Sequence, residues 1–253
     1  METIKITAVS YLNTFPFVFG IKTSGELDDI ELRLRVPSIC AEELRSGVAD
    51  LALLPAGALP DIPGYRIITD YCIGAVTDVK SVLLLSQKPI NEITAIHLDY
   101  DSRTSVALVR ILAKYFWKIN PDWIPLASGV ADKATGIDSL VAIGDKTFHL
   151  VSQYPYVYDL AGEWIRFTGL PFVFAVWATC KDLPEGFLAR FNQSLKYGID
   201  HTDEVPDFFR NQIPPHVDPL KYLKNDISYP LDSRKREGLD QYLRYLDEIL
   251  REE

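Results

Sequence analysis

Eight short apolar runs, each four to seven residues long, limit most strongly the folds open to this chain: Ile4–Val9, Leu32–Val36, Leu51–Leu54, Tyr65–Ile68, Ser81–Leu85, Ala95–Leu98, Leu140–Ile143 and Phe172–Ala178. Runs of this length, bounded by turn residues, read as buried strands. Helical patterns lie between several of them. Ser38 is a candidate N-cap for a segment in which Leu44 and Val48 share a face, and Gly47 sits where a C-terminal glycine belongs. Val106, Val109, Leu112 and Phe116, spaced by three, three and four, form one apolar stripe. Strand-helix alternation predicts α/β lobes built on largely parallel sheets.

Two breaks interrupt the alternation, Gln87-Lys88-Pro89-Ile90-Asn91 and Thr168-Gly169-Leu170-Pro171. They bracket a middle segment, as expected if the chain leaves one lobe, builds a second and returns. Residues 1–86 and 173–253 are then one discontinuous lobe and residues 87–172 the other. The Ser81–Leu85 and Phe172–Ala178 strands run near the crossing, with a cleft between the lobes. From Glu185 onward the pattern is helical. Phe187, Leu188, Phe191 and Leu195 make one apolar face, and Leu239, Leu243, Leu246 and Leu250 another, each docking on its own lobe.

Three strand-to-helix corners are rich in small polar groups. After Ile4–Val9 come Ser10, Tyr11, Leu12 and Asn13; after Leu32–Val36 comes Ser38; after Ala95–Leu98 come Ser102, Arg103, Thr104 and Ser105. Such corners either cap the next helix or offer hydroxyls, an amide and first-turn N–H groups to a small anion. Arg103 either joins that donor set or pairs with Asp99 or Asp101. Asp145, after Leu140–Ile143 and Gly144, either accepts a ligand hydroxyl or caps the next turn. Among Trp164, Phe167, Phe172, Phe174 and Trp177, one parity of the returning strand faces the cleft and the rest is core.

The 253 residues, 47% apolar, suffice for two cores. With 35 acidic and 26 basic side chains the formal charge is −9, which argues against nucleic acid as a partner. Capture of an anion must be local, through N–H groups and one or two cations. Cys40, Cys72 and Cys180 are dispersed in apolar contexts and read as buried thiols. No apolar run approaches the roughly 20 residues that span a bilayer, and Met1-Glu2-Thr3 begins no secretory signal, so a cytoplasmic protein with no membrane partner is expected. His97 reads as a core imidazole, while His201 and His216 read as surface groups. No HExxH, GxGxxG or GxxxxGK[ST] pattern occurs, and no metal or nucleotide cofactor is expected.

The stretches VSYLNTFPF, VPSICAEELRSGVADLALLP, SVLLLS, LDYDSRTSVALVRILAKYF, AIGDKT and YDLAGEWIRFTGLPFVFAVWA resemble, in that order, the chorismate dehydratases of the futalosine route to menaquinone. The resemblance runs from residue 4 to about residue 180. It implies a two-lobed periplasmic-binding-protein type II-like fold and conversion of chorismate to 3-[(1-carboxyvinyl)oxy]benzoate and water. By the same resemblance Asn13 and Ser81 act at the reacting centre. Ser10, Ser38, Ser102, Arg103, Thr104, Ser105 and Asp145 then bind substrate, and the base is either the enolpyruvyl carboxylate or Asp145. Two other readings remain open: the sister family forming 1,4-dihydroxy-6-naphthoate, expected to place a histidine in its cleft, and a non-catalytic protein that binds small anions.

Overall fold

The computed structural model describes residues 3–99, 103–126 and 136–252. The chain begins with β1 (Ile4–Val9), α1 (Phe15–Thr23), β2 (Ile30–Arg35), α2 (Pro37–Arg45), β3 (Leu51–Pro55) and β4 (Arg66–Ala75). It continues through β5 (Val82–Ser86), β6 (Ala95–Asp99), α3 (Arg103–Ile111), β7 (Asp122–Leu126), β8 (Ser139–Ile143), α4 (Thr147–Leu150), β9 (Tyr156–Asp159) and α5 (Leu160–Thr168). It closes with β10 (Phe172–Thr179), α6 (Phe187–Asp200), α7 (Val205–Phe208), α8 (Pro219–Lys221), β11 (Ser228–Pro230) and α9 (Ser233–Leu250).

These strands make two sheets, ordered β11-β4-β10-β3-β1-β2 and β7-β6-β8-β5-β9. In the first, β1 runs parallel to β2 and β3, whereas β10 is antiparallel to β3 and β4. In the second, β6 runs parallel to β7 and β8, whereas β5 is antiparallel to β8 and β9. Each sheet is thus part parallel and part antiparallel, not largely parallel as the alternation suggested. Strand-helix-strand units build the parallel part, and β5 and β10, which carry the chain into and out of the second lobe, run against it.

The full burial of β3, β5 and β8 explains their unbroken apolar runs, since central strands are covered on both faces. Val82–Ser86 was expected in the first lobe but lies inside the second sheet, between β8 and β9. The first crossing is therefore Val76–Ser81, with Lys80 at φ +62°. Gln87–Asn91 is a turn of the second lobe, anchored by Gln87 N–H donating to Asp138 O at 2.7 Å. The return crossing follows Gly169, whose left-handed backbone (φ +73°) ends α5.

Helix α2 starts at Pro37, capped by Val36, so Ser38 is a first-turn residue and not the N-cap; proline's fixed φ and missing N–H suit the first helical position. Cys40 and Cys72 are buried as expected, but Cys180, just beyond β10, is exposed. Burial pushes the Cys40 and Cys72 thiols up to about 12, which leaves them unreactive. Among the described residues no helix is long and apolar enough to cross a membrane.

Helices α1 and α6 cross in direct backbone contact. A Cβ at Gly20 would stand 1.9 Å from Ser194 O, and one at Gly198 only 1.8 Å from Pro16 O. Gly198→Ala should force the helices apart and lower stability by about 1–3 kcal/mol or more, read as an earlier urea midpoint with an unchanged slope. A midpoint equal to the parent's would show that the crossing yields freely.

Candidate functional site

A narrow cleft of about 60 Å³ lies between the lobes. The turn Leu12–Thr14, immediately after β1, brings Asn13 and Thr14 to it; the first crossing brings Ser81, and the first turn of α3 brings Thr104 and Ser105. Phe174 on β10 and Ile143 on β8 complete its apolar walls. A register shift between Val173 and Ala175 lets Phe172 remain in the core while Phe174 reaches the cleft.

Gly144, at φ +68°, turns the chain sharply at the end of β8, and its N–H donates to Ser81 O at 2.8 Å. The Tyr11 ring lies over it; a Cβ there would meet ring carbons at 3.2–3.3 Å. One residue on, Asp145 Oδ1 accepts Leu12 N–H at 3.3 Å. The carboxylate therefore serves the backbone of the facing lobe and does not line the cleft. Burial pushes its pKa up to about 6, opposed only in part by that hydrogen bond.

Of the residues expected to bind substrate, the structure brings Asn13, Ser81, Thr104 and Ser105 together. Thr104 is already engaged: its hydroxyl donates to Phe174 O at 3.3 Å and accepts Gly57 N–H at 3.0 Å. It joins the lobes more directly than it serves a ligand. Ser10 is exposed beside β1, its N–H bound to Arg35 O at 2.9 Å, and it does not line the cleft. Ser38 and Arg103 line a different pocket, where Arg103 pairs with Asp61. Of the expected partners, Asp99 pairs with Lys146, and Asp101, like Ser102, lies outside the described residues.

None of the described cleft-lining residues is charged and none is histidine, so the expected cation is replaced by neutral donors and the positive end of α3. His97 lies elsewhere, bonded through Nδ1 to Ser139 O at 3.1 Å. Among the described residues no group of three or more His, Cys, Asp or Glu is placed to hold a metal.

Two supporting tyrosines belong to no motif of the sequence. Tyr222 donates to Ser81 Oγ at 2.7 Å, and Tyr229 donates to Asn13 O at 3.0 Å. Both lie beyond residue 180, where no motif pointed to the site; only aromatic residues among the charged tail signalled them.

The raised Asp145 pKa fixes a pH dependence of stability. The native state holds this proton up to about pH 6, whereas the unfolded chain releases it near 4. Stability from this group falls as pH rises between those values. Asp145→Asn keeps an acceptor for Leu12 N–H and should gain on the order of 1–3 kcal/mol over the parent at pH 7.5, with the gain vanishing near pH 4. Urea titrations at both pH values check this; a difference independent of pH would contradict it.

A family model described as menaquinone biosynthesis matches residues 4–248. The chain is 24% identical to a chorismate dehydratase of Thermus thermophilus, over 90% of this chain and 94% of that one. Among solved structures it resembles a protein of Archaeoglobus fulgidus (TM-score 0.75, 15% identity, 97% of each chain). It also resembles a Candida albicans protein described as having the generic periplasmic binding protein fold (TM-score 0.68, 12% identity, 98% and 95% covered). A third neighbour is the periplasmic aliphatic sulphonate binding protein of Escherichia coli (TM-score 0.65, 14% identity, 100% and 88% covered). The two sheets carry the periplasmic-binding-protein-like fold, and the chain belongs to the menaquinone biosynthesis family.

Proposed function

We propose that this protein is a cytoplasmic chorismate dehydratase of the futalosine route, forming 3-[(1-carboxyvinyl)oxy]benzoate and water. The observation that carries the reading is a cleft in which an amide, a hydroxyl and a helix start face apolar walls with no charged side chain among the described lining residues, in a chain related to an enzyme of that name. The absence of histidine among its described lining residues favours dehydration over the sister reaction, for which a cleft histidine is expected.

The chemistry breaks the C3–H and C4–O bonds of the ring. The C3 proton is acidic because the electron pair left behind spreads through the ring double bond into the ring carboxylate. Donors placed at that carboxylate strengthen as charge arrives, a task suited to Ser105 and the first turn of α3. Asn13 and Ser81 orient the departing hydroxyl and the enolpyruvyl group. With Asp145 turned toward Leu12, the enolpyruvyl carboxylate is the base: it takes the C3 proton and passes it to the leaving hydroxide. Its folding over C3 supplies rate through positioning.

Purified protein mixed with chorismate should develop a new aromatic absorption, with chelator present throughout. Asn13→Ala and Ser81→Ala should each lower kcat by about 10²–10³, the usual effect of removing a donor from a preorganised site. Asp145→Asn should stay within about tenfold of the parent, with no loss of a limb near pH 6 in its rate profile. An analogue with a neutral amide in place of the enolpyruvyl carboxylate should bind without being dehydrated. Its turnover, together with a dead Asp145→Asn enzyme, would move the base to Asp145.

A further inference from the structure

Tyr222 stands where the two groups expected to act at the reacting centre meet. It opens a π-helical turn, Tyr222–Asp226, closed by Ile227 N–H donating to Tyr222 O at 3.2 Å. The side chain is 2% exposed and packs edge-on against Phe148 at 5.2 Å. Its hydroxyl donates to Ser81 Oγ at 2.7 Å, and the Asn13 side chain lies nearby. The ring lines a larger pocket of about 590 Å³ outside the cleft, and the hydroxyl is the part that reaches a cleft group, Ser81.

Proton counting gives these contacts a direction. Thr14 donates its single hydroxyl hydrogen to Asn13 Oδ1 at 3.2 Å. With the amide oxygen held by Thr14, the NH₂ is the end that Asn13 leaves to the cleft it lines. Tyr222 gives its own hydrogen to Ser81. The Ser81 hydrogen is then left to point into the cleft. Burial pushes the Tyr222 phenol up, so it stays protonated and keeps donating at neutral pH.

We propose that Tyr222 is a positioning residue of the dehydration, fixing the polarity of a Tyr222–Ser81–substrate hydrogen-bond chain so that Ser81, like Asn13 with its amide oxygen held by Thr14, presents a donor to substrate oxygens. The inference rests on the dehydratase reading and deepens it. In such a chain each bond polarises the next, and the donors strengthen the hold on the C4 oxygen as it departs. None of its members, so oriented, is available to remove the C3 proton.

Four proteins test this: the parent, Tyr222→Phe, Ser81→Ala and the double variant. Tyr222→Phe keeps the ring and removes the hydroxyl. It should lower kcat roughly 10- to 100-fold with KM changed less than about threefold, and should add less than about twofold to the loss caused by Ser81→Ala. Unchanged kcat, or losses that simply multiply, would overturn the proposal. Titration calorimetry with 3-(carboxymethoxy)benzoate, a stable dianion, reads the same chain without turnover. Affinity should fall about tenfold in Tyr222→Phe but not further in the Ser81→Ala background. A parent that binds this probe yet leaves chorismate intact defeats the dehydratase reading alone, and the four affinities still decide the polarity. A parent that does not bind it defeats both. Should Tyr222→Phe fail to fold, 3,5-difluorotyrosine at position 222 keeps ring and hydroxyl with a more acidic phenol. Probe affinity should then weaken between about pH 7 and 10 where the parent's does not; parallel curves would overturn the proposal.

Discussion

The cleft depends on one contact between strand ends of opposite lobes, the Tyr11 ring lying on Gly144. Gly144 can turn at φ +68° without strain, and because it has no Cβ the ring comes down onto the backbone. The same residue ties β8 to the first crossing through its N–H to Ser81 O. Beside it, Leu12 N–H reaches Asp145 across the gap. Asn13 follows Leu12, and Ser81 is the residue bound by Gly144, so this contact sets the separation of the two groups. A side chain at 144 would lift Tyr11 and move Asn13 away from Ser81.

Most of the central architecture was legible in the sequence because central strands are buried on both faces and leave unbroken apolar runs. The strands that escaped notice are all at sheet edges. β7 and β9 flank the second sheet and β11 ends the first, and their exposed positions dilute the pattern on which recognition rests. The corner residues were legible as a class but not in direction. Asn13, Ser81, Thr104 and Ser105 reach the cleft, while Ser10, Ser38 and Arg103 do not. A strand end presents successive side chains to different sides, and only the packed turn decides which goes where. Tyr222 was hidden for another reason: a π turn shifts side-chain direction relative to an α-helix, so no helical spacing pointed to it.

The charge economy of the cleft follows from the same geometry. Arg103 leaves it to pair with Asp61 on the first lobe, and Lys80 leaves it to pair with Asp226 at 2.8 Å. What remains is a set of neutral donors on apolar walls. A fixed cation would hold an anionic ring in its ground state as firmly as in the transition state, which lowers KM without raising kcat. Oriented neutral dipoles respond instead to charge that moves from a breaking C–H bond into a carboxylate. With a formal charge of −9 over the chain, these local donors act against the molecule's overall field.

The lobes are also joined on the side away from Tyr11. Thr104 is bonded to Gly57 and Phe174 of the first lobe, and Tyr242 on α9 donates to Thr104 O at 3.1 Å. Helix α9 packs Tyr242 against Phe172 and Tyr245 against Trp164, and Tyr115 beyond α3 donates to its Glu248 at 2.7 Å. It thus docks on both lobes, not on one as its leucine stripe alone implied. The 60 Å³ of the cleft has room for only a few water molecules, so under the dehydratase reading a ring carrying two carboxylates is seated only when the lobes part. With α9 and Thr104 fastening one side, Tyr11 on Gly144, beside the Leu12–Asp145 hydrogen bond, makes the other rim. Leu12, on that rim, precedes Asn13, and Gly144 holds Ser81 through its N–H, so the rim and the cleft groups share one framework.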